Sequence, residues 1–426
     1  MQRLVWNELS QSERAAALAR PVKRRETAVA EIVRTIFDDV EREGEAAVAR
    51  WALKLDKRAP EALTLTGAAV DAARAKLAPE DLAALDTAVA NVAAFHTATL
   101  PQESEIETSP GVRCKRVWRP IASCGLYIPA GTAPLFSTLI MLAEPARAAG
   151  VPQRIVTTPA REAPHPMMIA AAAACGVDTL WLVGGAQAIA ALTFGAELPK
   201  AEKIFGPGNA YVAEAKRYAA GLPSGPQIDV PAGPSELMVI ADAEADPALI
   251  AADLLSQAEH DRDAQVILAV TDARLLDAVA IALEAQLATL PRAAIARAAM
   301  DQARLILARN AEEAAAIANA YAPEHLALHV ADTEPLLAEI DNAGAIFVGR
   351  WSAETFGDYV CGPSHVLPTD GAARAWSGVS TGSFMRSFTV QTLSEAGART
   401  LAPAAARLAR LEGLEAHARA ADLRAL

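Results

Sequence analysis

The chain has 426 residues, 52% of them hydrophobic and 21% charged, which suits two or three globular domains and excludes a disordered or fibrous class. Its 39 basic and 51 acidic residues leave a formal net charge of −12, so there is no electrostatic basis for binding nucleic acid or an anionic membrane surface. Four cysteines (Cys114, Cys124, Cys175 and Cys361) with no CxxC pair do not build a disulfide framework; with an N-terminus that lacks a signal-peptide pattern, they point to a cytoplasmic protein.

Residues 1–22 read as a helical segment, and Lys23-Arg24-Arg25 reads as the solvated start of the next helix. From there to about residue 98 the pattern stays helical, most clearly at 26–49 and 79–97, with Ala, Leu and Val faces between charged positions. GVRCKRVWRP, residues 111–120, alternates like a strand. Strands at 124–128, 154–158 and 179–183 then alternate with helices at 137–149, 166–175 and 186–191. After Pro234 the rhythm resumes, with strands at 237–241, 265–270, 304–307, 325–330 and 345–348 and helices at 247–260, 273–290 and 310–320. Such alternation indicates βαβ units and parallel sheets. The uncharged runs 121–143 and 179–196 are broken by Gly and Pro, and so read as buried strand–turn–helix units rather than membrane spans. Residues 349–386 are irregular and rich in Gly, Ser, Thr and Pro, a length of loop that usually serves function. The final stretch, 402–423, is helical, with Leu408, Leu411 and Leu414 at spacing three and His417 continuing the stripe toward whatever the helix packs on.

The expected fold is therefore α/β: two Rossmann-like lobes with parallel sheets, preceded by N-terminal helices and followed by a helical C-terminal tail. Residues 23–110 and 235–378 are assigned to the first lobe, 111–234 to the second and 379–426 to the tail.

Several segments carry chemistry. In LLSQAEHDRDAQ, Gln257 and His260 stand three apart at a helix C-terminus and share a face, either as metal ligands or as a His favoured by the helix dipole. In YAPEHLALHV, Pro323 ends a helix and the next strand begins near His325, so Glu324 and His325 sit at a rigid junction, either as a place where a general base can act or as a turn with two solvated polar residues. His329 reads as a structural histidine. Asp358 and His365 lie in the long irregular segment, where an acid and an imidazole can complete a metal or substrate site or merely shape turns. Cys361 has no adjacent base and reads as inert. The loops GPGNAY (Gly206 to Tyr211), GGAQAIAA (Gly184 to Ala191) and DVPAGPSEL (Asp229 to Leu237) suit close backbone approach to a ligand, or tight turns alone.

Taken together, GLYIPAGTAPLFSTLIMLAEPA, VGGAQAIAAL, KIFGPGNAYVAEAKR, DVPAGPSEL, DLLSQAEHD, YAPEHL, GPSHVLPT and EGLEAHA resemble the histidinol dehydrogenase family, block after block in that family's order, from about Ile32 to Arg424. The resemblance implies oxidation of L-histidinol through the aldehyde to L-histidine with two NAD+. It implies one zinc per subunit held by Gln257, His260, Asp358 and His417, and a catalytic pair of Glu324 and His325. Ser235, His365 and Glu412 match substrate contacts, along with His325 and the four zinc ligands, while Tyr127, Gln187 and Asn209 match NAD+ contacts. The first lobe would carry metal and catalysis, the second NAD+, and the tail would cross over in a homodimer. Glu412 lies five residues before His417, about 140° away on an ideal helix, so both reach one site only if the helix bends or begins there. Two departures stand out: Asp261 after His260, and Ala130 in PAGTAP, both where glycine is usual. A related enzyme for another small primary alcohol, and a non-catalytic metal- or nucleotide-binding protein, are the competing readings; the presence of His365 and Glu412 disfavours the first, and that of Glu324 and His325 the second.

Overall fold

Strands such as ELMVIA (Glu236–Ala241) and QVILAV (Gln265–Val270) are apolar at nearly every position because both faces of their sheet are covered. Alternate residues go to opposite cores: Leu237, Val239 and Ala241 pack with Leu254 and Val279, while Met238 and Ile240 pack with Ile317 and Tyr321. The computed structural model describes residues 1–21, 27–130, 134–159, 162–230 and 233–425. The Lys23-Arg24-Arg25 run, Gly131 of the PAGTAP loop, and Pro231 and Ala232 of DVPAGPSEL lie outside the described residues.

Two six-stranded sheets organise the chain. The first runs Gln2–Val5, Arg304–Leu307, Gln265–Val270, Glu236–Ala241, His325–His329, Ala345–Val348, all parallel. The second runs Ala62–Thr64, Thr179–Leu182, Gln153–Thr158, Ser123–Tyr127, Lys203–Phe205, Gln227–Ile228, parallel except for its first strand. Leaving out the added edge strand, each sheet has the doubly wound order 3-2-1-4-5. The two Rossmann-like lobes are thus present, with the same topology twice and no detectable repeat in sequence.

The structure corrects three boundaries. Residues 2–5 are a strand, added in parallel to the edge at Arg304–Leu307, instead of part of a helical segment. The helices Thr27–Glu43 and Glu45–Leu55 belong with the second sheet and not the first: Val33, Ile36, Phe37 and Val48 pack with Tyr127, Ile189 and Val212. The segment 360–384 is shared: Val366, Val379 and Phe384 join the second lobe's core around Leu126 and Leu139, while Asp370 and Arg374 bond Glu236 and Ala320 of the first.

The tail also differs from expectation. Met385–Leu393 is a strand, paired antiparallel with Val112–Pro120, which pairs in turn with Ser104–Ser109. Two helices come next, Glu395–Leu411 and Glu415–Asp422, separated at Gly413 by a left-handed φ of 75°. They pack on each other, and the first also packs on the Met385–Leu393 strand. His417 is exposed instead of facing a core, as are Leu408, Leu411 and Leu414. Among the described residues no helix is long and apolar enough to cross a membrane.

The helix Pro79–Ala98 is tied to the turn before the arm by His96, whose Nδ1 lies 3.2 Å from the Thr381 hydroxyl, while that hydroxyl donates to the His96 carbonyl at 2.7 Å. Burial pushes the His96 imidazole down to about 4. The unfolded chain, with a histidine pKa of about 6.5, binds this proton more readily, so stability falls as pH drops from about 6.5 toward 4 and is untouched above that window. In urea titrations across this range, the parent should lose stability more steeply than His96→Gln, the difference being on the order of 1 kcal/mol per pH unit.

Candidate functional site

Parallel strands place their residues on two distinct edges, and the chemistry divides between them. In the first sheet Glu236, Gln265, Arg304 and His325 each open a strand, so Glu324 and His325 stand at the amino edge. The helix Pro247–Ala258 leaves the carboxyl end of Glu236–Ala241 and returns to that same amino edge, which brings Gln257 and His260 there. The helix Glu354–Tyr359, carrying Asp358, packs against it.

His325 is almost completely buried. Its Nδ1 lies 3.1 Å from the carbonyl oxygen of Glu236, 3.4 Å from Glu354 Oε1 and 3.6 Å from Glu324 Oε2. A carbonyl can only accept, so Nδ1 carries the proton and Nε2 keeps its lone pair. That nitrogen is 3.9 Å from Asp358 Oδ1, and the other oxygen of Asp358 is 3.8 Å from His260 Nε2. Burial pushes the His325 imidazole down to about 4, opposed by the charge of Asp358, so it is neutral and able to accept a proton at pH 7. Glu324 Oε2 accepts the N–H of Glu236 at 2.8 Å. Burial drives Glu324 well above the ordinary carboxylate range, and the nearby charges of Glu236, Asp358 and Asp370 add to the effect. Glu354 is raised for the same reason, first by burial and then by Asp358 and Glu324.

The donor set fits a divalent cation. His325, Glu354 and Asp358 present ligand atoms within 4.8 Å of one another. Gln257 is completely buried, yet neither Oε1 nor Nε2 has a hydrogen-bond partner among the described residues. An unpartnered buried amide costs about 1–3 kcal/mol, and an oxygen-ligated cation would relieve it. Asp261 is exposed, and its Oδ1 accepts the N–H of Asp263 at 2.9 Å in a tight turn.

His365 reaches across the lobes. Its Nδ1–H donates to the Asp358 carbonyl at 2.9 Å, and Nε2 accepts from the hydroxyl of Thr138, on the helix Phe136–Ala148 of the second lobe, at 3.1 Å. Ser235 precedes Glu236 and so lies beside the same pair. Glu412 and His417, by contrast, are on the exposed tail and away from the other site residues. His329 is structural, as expected, with Nε2 2.8 Å from Asp253 Oδ2 in the interior.

In the second lobe the candidate cofactor residues gather at the carboxyl edge. The strand order reverses between Ser123–Tyr127 and Lys203–Phe205, and doubly wound sheets bind ligands at such switch points. Tyr127 ends one of these strands, and Gly206 to Asn209 continues from the other. Gly206, at φ 113°, passes so close that a Cβ would stand 2.0 Å from the Tyr127 carbonyl oxygen. Tyr127 is buried, its hydroxyl accepting the Gly185 N–H at 3.2 Å. Gln187 is buried as well; its Nε2 donates to Asp56 at 2.9 Å and its Oε1 has no partner among the described residues. Asn209 caps the next helix, Oδ1 accepting from Tyr211 and Val212 at 3.1 Å, which leaves its amide donors for a ligand.

A sequence profile described as histidinol dehydrogenase matches residues 19–425. The chain belongs to the histidinol dehydrogenase family. It is 46% identical to the histidinol dehydrogenase of Xanthomonas euvesicatoria pv. vesicatoria, covering 100% of this chain and 99% of that one. The Salmonella typhimurium enzyme is likewise 46% identical, over 98% and 96% of the two chains. A crystal structure of histidinol dehydrogenase from Elizabethkingia anophelis, 41% identical, superposes with a TM-score of 0.95 over 100% of this chain and 98% of that one. Histidinol dehydrogenases are NAD-dependent oxidoreductases of histidine biosynthesis that use Zn2+.

Three residues around the pair were not read from the sequence. Glu354 stands four residues before Asp358 on one helix face, a spacing that was available as a signal. Glu236 comes directly after Ser235. Arg20, which pairs with Glu236, had no local signal at all. Gln257→Leu should melt at or above the metal-free parent, because an orphaned amide is replaced by a side chain of similar size. The same variant should lose stoichiometric zinc, read by elemental analysis after dialysis.

Proposed function

We propose that the chain oxidises L-histidinol through L-histidinaldehyde to L-histidine with two NAD+, and that Glu324 and His325 carry its proton transfers. The observation that bears the proposal is the buried pair itself: His325 neutral, with Nδ1–H engaged and the Nε2 lone pair facing Asp358. Zinc would be held by Gln257, His260 and Asp358 of one subunit and by His417 of a second copy. Substrate would meet Ser235, His365 and Glu412, and NAD+ would meet Tyr127, Gln187 and Asn209.

When bound, zinc supplies a divalent charge that anchors the substrate and offsets the crowded carboxylates, and each NAD+ supplies a hydride acceptor. His325 Nε2 takes the hydroxyl proton as the first carbon–hydrogen bond breaks. An aldehyde must gain an oxygen before it becomes an acid. Glu324 takes a proton from the water that adds to the aldehyde, while the proton held on His325 Nε2 passes to the aldehyde oxygen, giving the hydrate and freeing Nε2. His325 Nε2 then takes a hydrate hydroxyl proton as the second carbon–hydrogen bond breaks. Both residues are held by main-chain hydrogen bonds, so they need no rearrangement between the two oxidations.

The tail supports a second copy as the source of His417 and Glu412. Phe388, Val390 and Leu393 on the arm and Leu408, Leu411, Leu414 and Leu423 on the helices are all exposed in one chain, an apolar surface that a homodimer would cover. The break at Gly413 removes the obstacle of an ideal helix, since Glu412 caps the first tail helix and His417 lies on the second.

Turnover of L-histidinol should yield two NADH per substrate and stop on chelation; no NADH from zinc-loaded protein would reject the reading. His325→Ala should abolish turnover and keep its zinc, and His417→Ala should lose zinc. Mixed and allowed to exchange subunits, these two dead variants should recover about a quarter of parental activity, because half the dimers are hybrids with one intact site. A tail acting on its own subunit would leave the mixture inactive.

A further inference from the structure

The main chain of Glu236 holds both members of the catalytic pair, its N–H bonding Glu324 Oε2 at 2.8 Å and its carbonyl bonding His325 Nδ1 at 3.1 Å. Its side chain points the other way and is completely buried. There the carboxylate meets the guanidinium of Arg20, on the N-terminal arm, through both oxygens, and accepts the N–H of Asp370 at 3.1 Å. Arg20 Nη2 also donates to the carbonyls of Tyr321 at 3.0 Å and Ala322 at 3.3 Å. The guanidinium carbon lies 3.8 Å from the centre of the Tyr321 ring.

Ala322 has φ 54°, a left-handed conformation that strains a non-glycine residue, and it leads through Pro323 straight into Glu324. Arg20 therefore grips both supports of the pair: the strand that bonds it from one side and the strained turn that delivers it from the other. A buried ion pair is rarely the most stable filling for a core, and apolar residues of similar volume often serve as well. The geometry this one enforces is a better reason for its presence.

We propose that Arg20 is a positioning residue for the oxidation, holding Glu324 and His325 in register through Glu236 and the Tyr321–Ala322 turn without touching substrate or metal. The proposal rests on the assignment of Glu324 and His325 as the proton-transfer pair. Displacing a reacting group by 1 Å costs about 100-fold in rate, whereas loosening a remote support leaves ground-state binding in place. Lysine restores the charge but not the fork or the stacking.

The test compares Arg20→Met, Arg20→Lys and His325→Ala with the parent as zinc-loaded enzymes at saturating NAD+. Arg20→Met should keep parental zinc content and lose roughly 10- to 100-fold in kcat, with KM for L-histidinol within about twofold, and Arg20→Lys should regain part of the loss. A kcat for Arg20→Met within about twofold of the parent, or a loss carried by KM or by missing zinc, overturns the proposal. Should Arg20→Met not fold, Glu236→Gln decides, since it keeps the shape and weakens the grip: a fall in kcat at unchanged KM supports the proposal, and parental kcat overturns it. An inactive His325→Ala beside an unimpaired Arg20→Met sinks only this inference. An active His325→Ala sinks the assignment of the pair, and this inference with it.

Discussion

Glu324, Glu354 and Asp358 surround one imidazole at a strand edge with little access to water, Glu236 is buried behind them, and the management of that negative charge shapes this end of the molecule. A buried carboxylate needs a cation, a proton or several hydrogen-bond donors. Glu236 has Arg20 and the N–H of Asp370. Glu324 has the N–H of Glu236 and is pushed up in pKa. Glu354 and Asp358 face a space where Gln257 leaves an amide unsatisfied, which is the environment a divalent cation balances. The same crowding sets the tautomer of His325, because the Glu236 carbonyl and two carboxylates on one side hold the proton on Nδ1 and leave the Nε2 lone pair free.

Two copies of one topology divide the work by using opposite edges. The second lobe presents Tyr127, Gln187 and Asn209 at the carboxyl ends of its strands, on both sides of its switch point. The first lobe presents its reactive groups at the amino ends, where the helix carrying Gln257 returns. His365 bonds Asp358 of the first lobe and Thr138 of the second, so it marks the seam between the reactive edge and the other lobe. With the helices from 27 to 98 packed on the second sheet and the first strand on the first, the chain enters one lobe, builds the other and comes back.

A three-stranded antiparallel ribbon and two short helices carry apolar side chains into solvent, and Gly413 turns the second helix so that His417 need not follow the stripe of Leu408, Leu411 and Leu414. Antiparallel pairing with Val112–Pro120 fixes the direction in which the tail leaves the body. A ligand on such a tail, as proposed for His417, would couple completion of the site to association of subunits.

The alternation of apolar strands with Ala-rich helices was enough to read two α/β lobes, because burial on both faces of a parallel sheet writes itself into local composition. Residues borne by motifs were legible for a similar reason: Glu324, His325, Gln257, His260, Asp358 and His365 sit in short segments whose chemistry is local, and the structure brings these six to one edge. The strand at Gln2–Val5, the move of residues 27–98 to the second lobe and the ribbon at Met385–Leu393 were not legible, since each depends on pairing with segments far away in the chain. The Arg20–Glu236 contact spans 216 residues, and no periodicity or spacing can announce it. Sequence alone determined which side chains could do chemistry and which secondary structure carried them. The tertiary structure decided which of them share a dry space, and with that the tautomer of His325, the charge each carboxylate can keep and the residues that hold them, because burial and hydrogen-bond geometry arise only between segments brought together by folding.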